Sequence, residues 1–159
     1  MRTELHSHAL GMGMASERSR KRLVQRLRDI GVTNEDVLQA MERVQRHRFV
    51  DEAMASRAYD DTALPIGYSQ TISQPFVVAH MTALLIGDDT LDTVLEVGAG
   101  SGYQAAVLAE LIRTVYAVER IEALQKRARL CLKELGYYNV RLRLADGVMG
   151  LPDYGPFDG

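Results

Sequence analysis

The chain has 159 residues, a length that predicts one complete domain or one large domain cut short. Apolar residues make up 47% and charged residues 25% of the sequence, which excludes disordered, collagen-like and low-complexity proteins. The longest uncharged apolar stretch, residues 75–87, is shorter than the roughly 20 residues that a membrane span needs. A single cysteine, Cys131, excludes an internal disulfide framework and a multi-cysteine metal cluster. We therefore expect a cytoplasmic protein without a membrane contact or a metal site.

The charge is unevenly distributed along the chain, although the net charge is only −2. Residues 49–112 hold nine Asp or Glu and a single cation, Arg57. A ligand of this acidic part is not expected to be held chiefly through its phosphates. The sequence therefore predicts no nucleic-acid partner.

Two amphipathic helices are predicted before any strand. Residues 1–14 lack periodicity and are expected to form a flexible extension. The first helix is predicted to begin near Ser16, a plausible N-cap, and to end at Gly31. Thr33 with Asp36 then predicts a capping box for the second helix.

The segment between the second and third helices has no clear periodicity. Residues 47–74 are long for a structureless loop, which indicates a functional segment. Pro75 favours the first turn of a third helix that ends near Ile86. Residues 15–87 are therefore predicted to form a helical, substrate-binding part.

The remaining sequence alternates between strands and helices. The predicted strands are 93–97, 115–119 and 140–144, the predicted helices are 103–112 and 121–135, and Phe157-Asp158 begins a fourth strand. Strands separated by helices of this length predict a parallel sheet wound in the Rossmann manner. Residues 88–159 are thus interpreted as the first half of a Rossmann-like α/β unit, within one domain overall.

A glycine-rich turn follows the first of these strands, at Gly98-Ala99-Gly100-Ser101-Gly102. Such a turn from strand to helix predicts a nucleotide-type ligand across the strand ends. In the dinucleotide fingerprint the third glycine would stand at Tyr103, so the spacing departs from that motif. Glu96 lies just before the turn and would repel a pyrophosphate. S-adenosylmethionine, with an ammonium, a sulfonium and one carboxylate, suits this acidic turn better.

Two more acidic residues follow the next two strands, at the sheet edge where ligands of open α/β sheets bind. Glu119 can accept hydrogen bonds from both ribose hydroxyls, and Asp146 before Gly147 can accept one from the adenine amino group. Alternatively, Glu119 is merely solvated and Asp146-Gly147 is ordinary turn chemistry. Glu96, between apolar neighbours, is expected to bind the ligand directly or through water.

Three segments resemble the bacterial protein-L-isoaspartate O-methyltransferase family. They are Leu64-Pro65-Ile66-Gly67 with Gln70-Thr71-Ile72-Ser73-Gln74-Pro75, then residues 94–106, then Val118-Glu119 with Asp146-Gly147. The resemblance implies a class I methyltransferase fold and S-adenosylmethionine-dependent methylation of L-isoaspartyl and D-aspartyl residues in damaged proteins. It implies that Ser73 is the active-site serine and that Thr71, Ile72 and Gln74 lie along the peptide groove. The implied cofactor residues are Glu96, Gly98, Gly100, Ser101, Gly102, Glu119, Asp146 and Gly147.

The implied reaction needs no general base, because an isoaspartyl carboxylate with a pKa near about 3.9 is already ionised at neutral pH. Ser73 can orient this carboxylate, and the amides at the helix beginning near Pro75 can soften its charge. Ser73 could instead merely cap that helix. His80, one turn into the helix, is interpreted as structural.

The resemblance also implies further strands after Phe157-Asp158. Without them the strand at residues 93–97 is expected to be an exposed apolar edge. The chain is then a fragment of a longer polypeptide, or it associates with another copy by strand swapping, or it is unstable alone; a completed chain is expected to be a monomer. The alternatives to an isoaspartyl methyltransferase are another class I methyltransferase and an inactive cofactor-binding fragment.

Overall fold

The computed structural model describes residues 2–87 and 89–159, with side chains from Ser16 onward. Its elements in chain order are α1 (Arg2–Asp29), α2 (Glu35–Arg43), β1 (Leu64–Gly67), β2 (Gln70–Ile72), α3 (Pro75–Ile86), β3 (Thr93–Val97), α4 (Tyr103–Ala109), β4 (Thr114–Glu119), α5 (Glu122–Glu134) and β5 (Val140–Leu144). Short 3-10 helices occupy Arg46–Phe49, Glu52–Arg57, Gly147–Met149 and Pro152–Tyr154. The order is helical first and then alternating α/β, as the sequence predicts.

The starts of the first two helices differ from the prediction. Helix α1 begins at Arg2, so Ser16 lies inside it, where its hydroxyl accepts a hydrogen bond from Arg20 at 2.8 Å. That residues 1–14 are a flexible extension stays a prediction, since their side chains lie outside the described residues. Helix α2 is capped by Asn34 rather than Thr33, because the Asn34 side chain accepts the Val37 amide at 3.1 Å.

Residues 47–74 are more ordered than the predicted loop. Strands β1 and β2 form an antiparallel hairpin in which Leu64 faces Ile72. Tyr68 and Ser69 make the turn with φ of 55° each, a conformation typical of tight hairpin turns. Strands of four and three residues, one of them containing Pro65, are too short to be predicted from periodicity.

The second half of the chain is a parallel sheet of order β3-β4-β5. Thr93 pairs with Thr114 at one end and Val97 with Val118 at the other, and Glu119 pairs with Leu144 on the next strand. All three carboxyl ends therefore meet at one edge, beside the β1–β2 hairpin. This edge is where the glycine-rich turn, Glu119 and Asp146 come together.

The residues predicted to begin a fourth strand make a short backbone pairing with the outer side of β3. The Asp158 amide donates to Thr93 O at 2.8 Å, and the Leu95 amide donates to Gly159 O at 3.0 Å. The Asp158 carboxylate also accepts the amides of Asp92 and Thr93 at 2.9 and 2.8 Å, and these bonds hold its pKa below the usual range. Part of the β3 edge, predicted to be exposed, is thus paired.

One apolar cluster runs through both halves of the molecule. It contains Leu27 and Leu38 from the first helices, Ile66 from the hairpin, and Val115 and Leu124 from the α/β part, each at most 1% exposed. A shared core agrees with one domain overall, and the division into residues 15–87 and 88–159 stays a prediction. None of the helices within residues 2–87 and 89–159 is long and apolar enough to cross a membrane.

Candidate active site

The glycine-rich turn between β3 and α4 folds back onto the end of β4. Gly98, Gly100 and Gly102 have φ of 85°, 55° and 86°, a region that other residues rarely adopt. The amides of Gly98 and Ala99 both donate to Val118 O at 2.9 Å, and the Gly100 amide donates to Glu119 Oε2 at 2.8 Å. These three amides therefore hold the turn in shape.

Glu119 is the residue that ties this turn to the next one. Its carboxylate is 6% exposed and also accepts the Ile121 amide on Oε1 at 2.8 Å. Each carboxylate oxygen has capacity for a further hydrogen bond, so the predicted contact with ribose hydroxyls stays open to it. The alternative that Glu119 is merely solvated does not fit its burial.

A cavity of about 330 Å³ lies at the carboxyl ends of the strands. Its apolar walls include Val97, Val118, Ile121 and Val148, and its polar lining includes Glu119 and Asp146. The Asp146 side chain accepts the Val148 amide at 3.1 Å and so caps the short helix that follows. Asp146 thus makes the turn interaction that was the alternative to ligand binding, while its side chain still lines the cavity.

Gly147 is required by the close approach of two strand ends. A Cβ atom built on Gly147 would lie 2.2 Å from Val97 Cγ1. A larger residue here would displace Val97, whose side chain forms part of the cavity wall.

A smaller cavity of about 60 Å³ adjoins the first and shares Thr71, Gly98 and Gly100 with it. Ser73, Glu96 and Gln104 line this smaller cavity. The two cavities together run from Asp146 across the glycine-rich turn to Ser73. Most of the predicted donor and acceptor residues line one of these two adjoining cavities, but Gly102 and Gln74 line neither.

Glu96, which lines the smaller cavity, carries an uncompensated buried acceptor. Its Oε2 is fully buried, although the residue as a whole is partly exposed, and it has no hydrogen-bond partner in the described part of the chain. Burial, and to a lesser extent the charge of Glu119, raises the pKa of Glu96 to about 8. Such a carboxylate is stabilised in its charged form by a cation beside it.

Gln104 adds a second acceptor of the same kind. Its Nε2 donates to Thr82 Oγ1 at 2.8 Å, which leaves Oε1 buried and without a partner among the described residues. Two unpaired acceptors around one small cavity suit a positively charged hydrogen-bond donor. The residues present therefore fit the ammonium group of S-adenosylmethionine.

The predicted acceptor segment, residues 71–74, joins β2 to α3. Thr71 and Ser73 are exposed at the cavities, whereas Ile72 is 3% exposed and packs into the core. The Ser73 hydroxyl has no hydrogen-bond partner within residues 16–87 and 89–159, and the N-cap of α3 is Gln74, without a side-chain cap bond. Ser73 is thus not the helix cap, which was the alternative interpretation of this residue.

The start of α3 is occupied by an acid that sequence reasoning missed. Asp61 Oδ1 accepts the Phe76 amide at 2.8 Å, and Asp61 Oδ2 accepts the Gln74 side chain at 3.0 Å. The expectation that amides near Pro75 are available to a substrate carboxylate is therefore wrong for Phe76. Gln74, expected to face the peptide groove, is directed to Asp61 instead.

Three further residues lie in or near the site, and the sequence indicates their roles to different degrees. Ser101 is 7% exposed and accepts the Tyr103 amide at 3.4 Å, so it supports the start of α4. Arg120 lines the larger cavity directly after Glu119, a position that the strand end alone could have suggested. His80 is exposed and stacks on Phe76 with ring centroids 5.7 Å apart, in keeping with a structural role.

The family comparison decides among the methyltransferase classes left open by the turn. The family described as protein-L-isoaspartate(D-aspartate) O-methyltransferase matches residues 18–159. The chain belongs to the protein-L-isoaspartate O-methyltransferase family. Family membership confirms the predicted use of S-adenosylmethionine and the methylation of isoaspartyl residues in protein repair as the reaction of this family.

Two bacterial relatives show how far the similarity extends. The protein-L-isoaspartate O-methyltransferase of Dechloromonas aromatica is 59% identical over 149 residues, which are 93% of this chain and 69% of that protein. The enzyme of the same name from Cellvibrio japonicus is 59% identical over 150 residues, 94% of this chain and 67% of that protein. The chain thus spans about two thirds of the length of these relatives.

Solved structures confirm the predicted Rossmann-like methyltransferase fold. One protein-L-isoaspartate O-methyltransferase is 28% identical with a TM-score of 0.77, and the matched region covers 87% of this chain and 45% of that protein's chain. Another, a putative family member from Plasmodium falciparum in complex with S-adenosyl-L-homocysteine, is 22% identical with a TM-score of 0.72 and covers 87% of this chain and 70% of its own. The second likeness supports the fold alone.

Proposed function

We propose that this chain binds S-adenosylmethionine across the two adjoining cavities and methylates the free carboxylate of L-isoaspartyl and D-aspartyl residues. The observation that carries the proposal is the pair of unpaired buried acceptors, Glu96 Oε2 and Gln104 Oε1, in the cavity that Ser73 also lines. A single ammonium group can satisfy both acceptors. The methyl group is then delivered on the side of Ser73.

The larger cavity takes the adenosine part of the donor. Glu119 accepts the ribose hydroxyls while its two backbone bonds keep the turn closed. Asp146 accepts the adenine amino group, and Val97 and Val148 cover the faces of the base. Gly98, Gly100, Ser101, Gly102 and Gly147 act through the backbone, since they shape the turns that border the donor.

The acceptor peptide lies against Thr71 and Ser73, the two exposed residues of the segment 71–74. Its carboxylate is ionised at neutral pH, with a pKa near about 3.9, so the protein aligns and desolvates it rather than removing a proton. The Ser73 hydroxyl, free of other hydrogen bonds in the described part of the chain, donates to the carboxylate and turns it toward the methyl group. Alignment of two bound reactants can contribute several kcal/mol, up to roughly 10.

Methyl transfer from labelled S-adenosylmethionine tests this function directly. The assay supplies an isoaspartyl peptide and the same peptide with a normal aspartyl residue, and we expect label in the isoaspartyl peptide alone. Ser73→Ala should lower kcat/KM for the peptide about tenfold or more, whereas Ser19→Ala in α1 should not change it. Equal labelling of both peptides would reject the substrate assignment.

A cofactor-binding protein without methyl transfer is the second candidate, because the buried acceptors Glu96 Oε2 and Gln104 Oε1 serve the donor whether or not a peptide is methylated. In that case calorimetric titration with S-adenosylhomocysteine shows saturable heat, but no peptide is labelled. Another class I methyltransferase would bind the same ligand and label a different acceptor. The two experiments together separate these three outcomes.

We further propose that the chain is cytoplasmic, that it does not bind nucleic acid, and that it associates with a second copy of itself. A single thiol, Cys131, is compatible with a reducing compartment. The acidic residues 49–112 speak against a nucleic-acid partner. Helix α3 presents Val77, Met81 and Leu84 to solvent on one face, with exposed fractions of 38%, 46% and 70%, an apolar surface that a second copy can cover.

A further inference from the structure

We propose that Asp61 is the positioning residue for the acceptor segment 71–74, acting on Ser73 through Gln74 and the first turn of α3. The inference rests on the proposed function, since it concerns the same acceptor site. Asp61 lies outside both cavities and does not touch the reacting groups. The role of Asp61 is to hold the Ser73 side chain in a fixed position.

The first support is the pair of hydrogen bonds that Asp61 makes to the start of α3. One carboxylate oxygen accepts the Phe76 amide at 2.8 Å, and the other accepts Gln74 Nε2 at 3.0 Å. The helix has no side-chain cap from its own N-cap residue. Asp61 therefore supplies, from a distant loop, the cap that α3 lacks locally.

The second support is that Ser73 is held from both sides. Ile72 before it is anchored in the core at 3% exposure, and Gln74 after it is tied to Asp61. A residue between two fixed neighbours has little freedom to rotate its Cα–Cβ direction. Loss of the Gln74 tie would leave Ser73 anchored at one end only.

The third support is a buried cation that holds the loop carrying Asp61. Arg46 is 0% exposed, and its guanidinium donates to Ala58 O at 2.8 Å and to Thr62 O at 3.3 Å. These two carbonyls lie on either side of Asp61 in the chain. Burial lowers the pKa of Arg46, and the charge of Asp61 is among the groups that oppose this shift.

Arg46 also links this loop to the donor side of the site. Its guanidinium carbon lies 4.7 Å from the ring centroid of Tyr103, a distance typical of a cation–π contact. Tyr103 is the first residue of α4, directly after the glycine-rich turn. The loop behind the acceptor segment and the helix after the glycine-rich turn therefore both contact one buried side chain, Arg46. This shared contact keeps the distance between the acceptor segment and the turn constant.

Removal of the Asp61 carboxylate should therefore affect the acceptor and spare the donor. Asp61→Ala frees the Phe76 amide and the Gln74 side chain, and the freed amide can itself attract the substrate carboxylate away from Ser73. We expect kcat/KM for the isoaspartyl peptide to fall on the order of 10- to 100-fold, the scale of a small misplacement of reacting groups. The Kd for S-adenosylhomocysteine should change less than twofold.

The experiment compares peptide kinetics and ligand binding in matched variants. Asp61→Asn keeps an acceptor for the Phe76 amide and should retain most of the activity lost in Asp61→Ala. Asp60→Asn is the control, because Asp60 is exposed and faces Arg57 at 3.6 Å. Gln74→Ala severs one arm only, and it should reproduce part of the loss if Asp61→Ala does not fold.

Two results would overturn the positioning role. One is peptide kinetics in Asp61→Ala that equal those of the unmodified chain; the other is a loss of ligand affinity as large as the loss of kcat/KM. Absence of methyl transfer in the unmodified chain would instead reject the proposed function. The failure of each proposal is therefore recognised separately.

Discussion

Glu96 illustrates how one residue combines an unfavourable environment with a functional role. A buried carboxylate next to a second carboxylate favours its neutral form unless a cation lies beside it. Its position between Leu95 and Val97 made a partner predictable from the sequence, because an unpaired acid among apolar residues is costly. Gln104 was not predictable in this way, since an amide at the start of a helix has many ordinary roles.

The raised pKa of Glu96 predicts that donor binding depends on pH. The ammonium group pairs with the ionised carboxylate, so binding below pH 8 must release the proton that Glu96 holds in the free protein. The affinity for S-adenosylhomocysteine should therefore rise with pH, by up to about tenfold per unit below pH 7, and level off above about 8. Calorimetric titration between pH 6 and 8.5 measures this dependence.

Two substitutions of glutamate by glutamine, at Glu96 and at Glu122, test this prediction. Glu96→Gln should bind more weakly at pH 8 and lose the pH dependence, because the titrating group is gone. Glu122→Gln, which breaks an exposed pair with Lys126 at 2.7 Å, should retain both the affinity and its slope. A pH-independent affinity of the unmodified chain would contradict the role assigned to Glu96.

Asp61 and Arg46 show where residue-level prediction fails. Asp61 contacts residues 13 and 15 positions further along the chain, across a hairpin whose strands are only four and three residues long. No sequence pattern marks Arg46 as a buried residue, yet it is 0% exposed. Both roles depend on tertiary contacts that no local spacing encodes.

At the scale of elements, the alternation of β3, α4, β4, α5 and β5 was predictable, because apolar strands and amphipathic helices have different periods. Helix ends were less so: α4 ends at Ala109 rather than at residue 112. The cap of α2 moved from Thr33 to Asn34, since both residue types favour that position. The β1–β2 hairpin was not predicted, because its strands are only four and three residues long.

The close approach of Gly102 to α5 predicts different costs for two glycines of similar φ. Gly102 has φ of 86°, and a Cβ there would lie 3.2 Å from Ala128 Cβ and Leu132 Cδ1, whereas Gly136, with φ of 84°, has open space. Gly136→Ala should lower the free energy of unfolding by about 1–2 kcal/mol from backbone strain. Gly102→Ala should cost about 1 kcal/mol more, because α5 must shift.

Urea unfolding of the two glycine variants measures this difference. Equal losses in both variants would show that the approach of α4 to α5 at Gly102 is not tight. A larger loss in Gly102→Ala together with weaker S-adenosylhomocysteine binding would connect this packing to the donor turn.

At the scale of the molecule, the order β3-β4-β5 leaves β3 at the edge of the sheet, paired in part by residues 157–159. The sequence predicted an edge here, but it did not predict that Asp158 would cap the start of the strand through its carboxylate. Helix α3 comes close to the end of this pairing at Leu85, since a Cβ atom built on Gly159 would lie 2.5 Å from Leu85 Cδ1. The proposed self-association covers the exposed side chains of Val77, Met81 and Leu84 on this helix.

Self-association through α3 is tested by sedimentation velocity. The unmodified chain should show a mass that increases with concentration, and Leu84→Asp should restore the monomer, because it places a charge in the exposed apolar face. Leu130→Asp on α5, where the side chain is 58% exposed, is the control and should not alter the mass. A monomer at all concentrations would contradict association through this face.

A structure of the chain with S-adenosylhomocysteine at pH 8 tests the central claim most directly. The account predicts the amino group within about 3.2 Å of Glu96 Oε2 and Gln104 Oε1, the ribose at Glu119, and the sulfur on the side of Ser73. A ligand bound outside the two cavities, or with its amino group directed away from Glu96, would contradict the account.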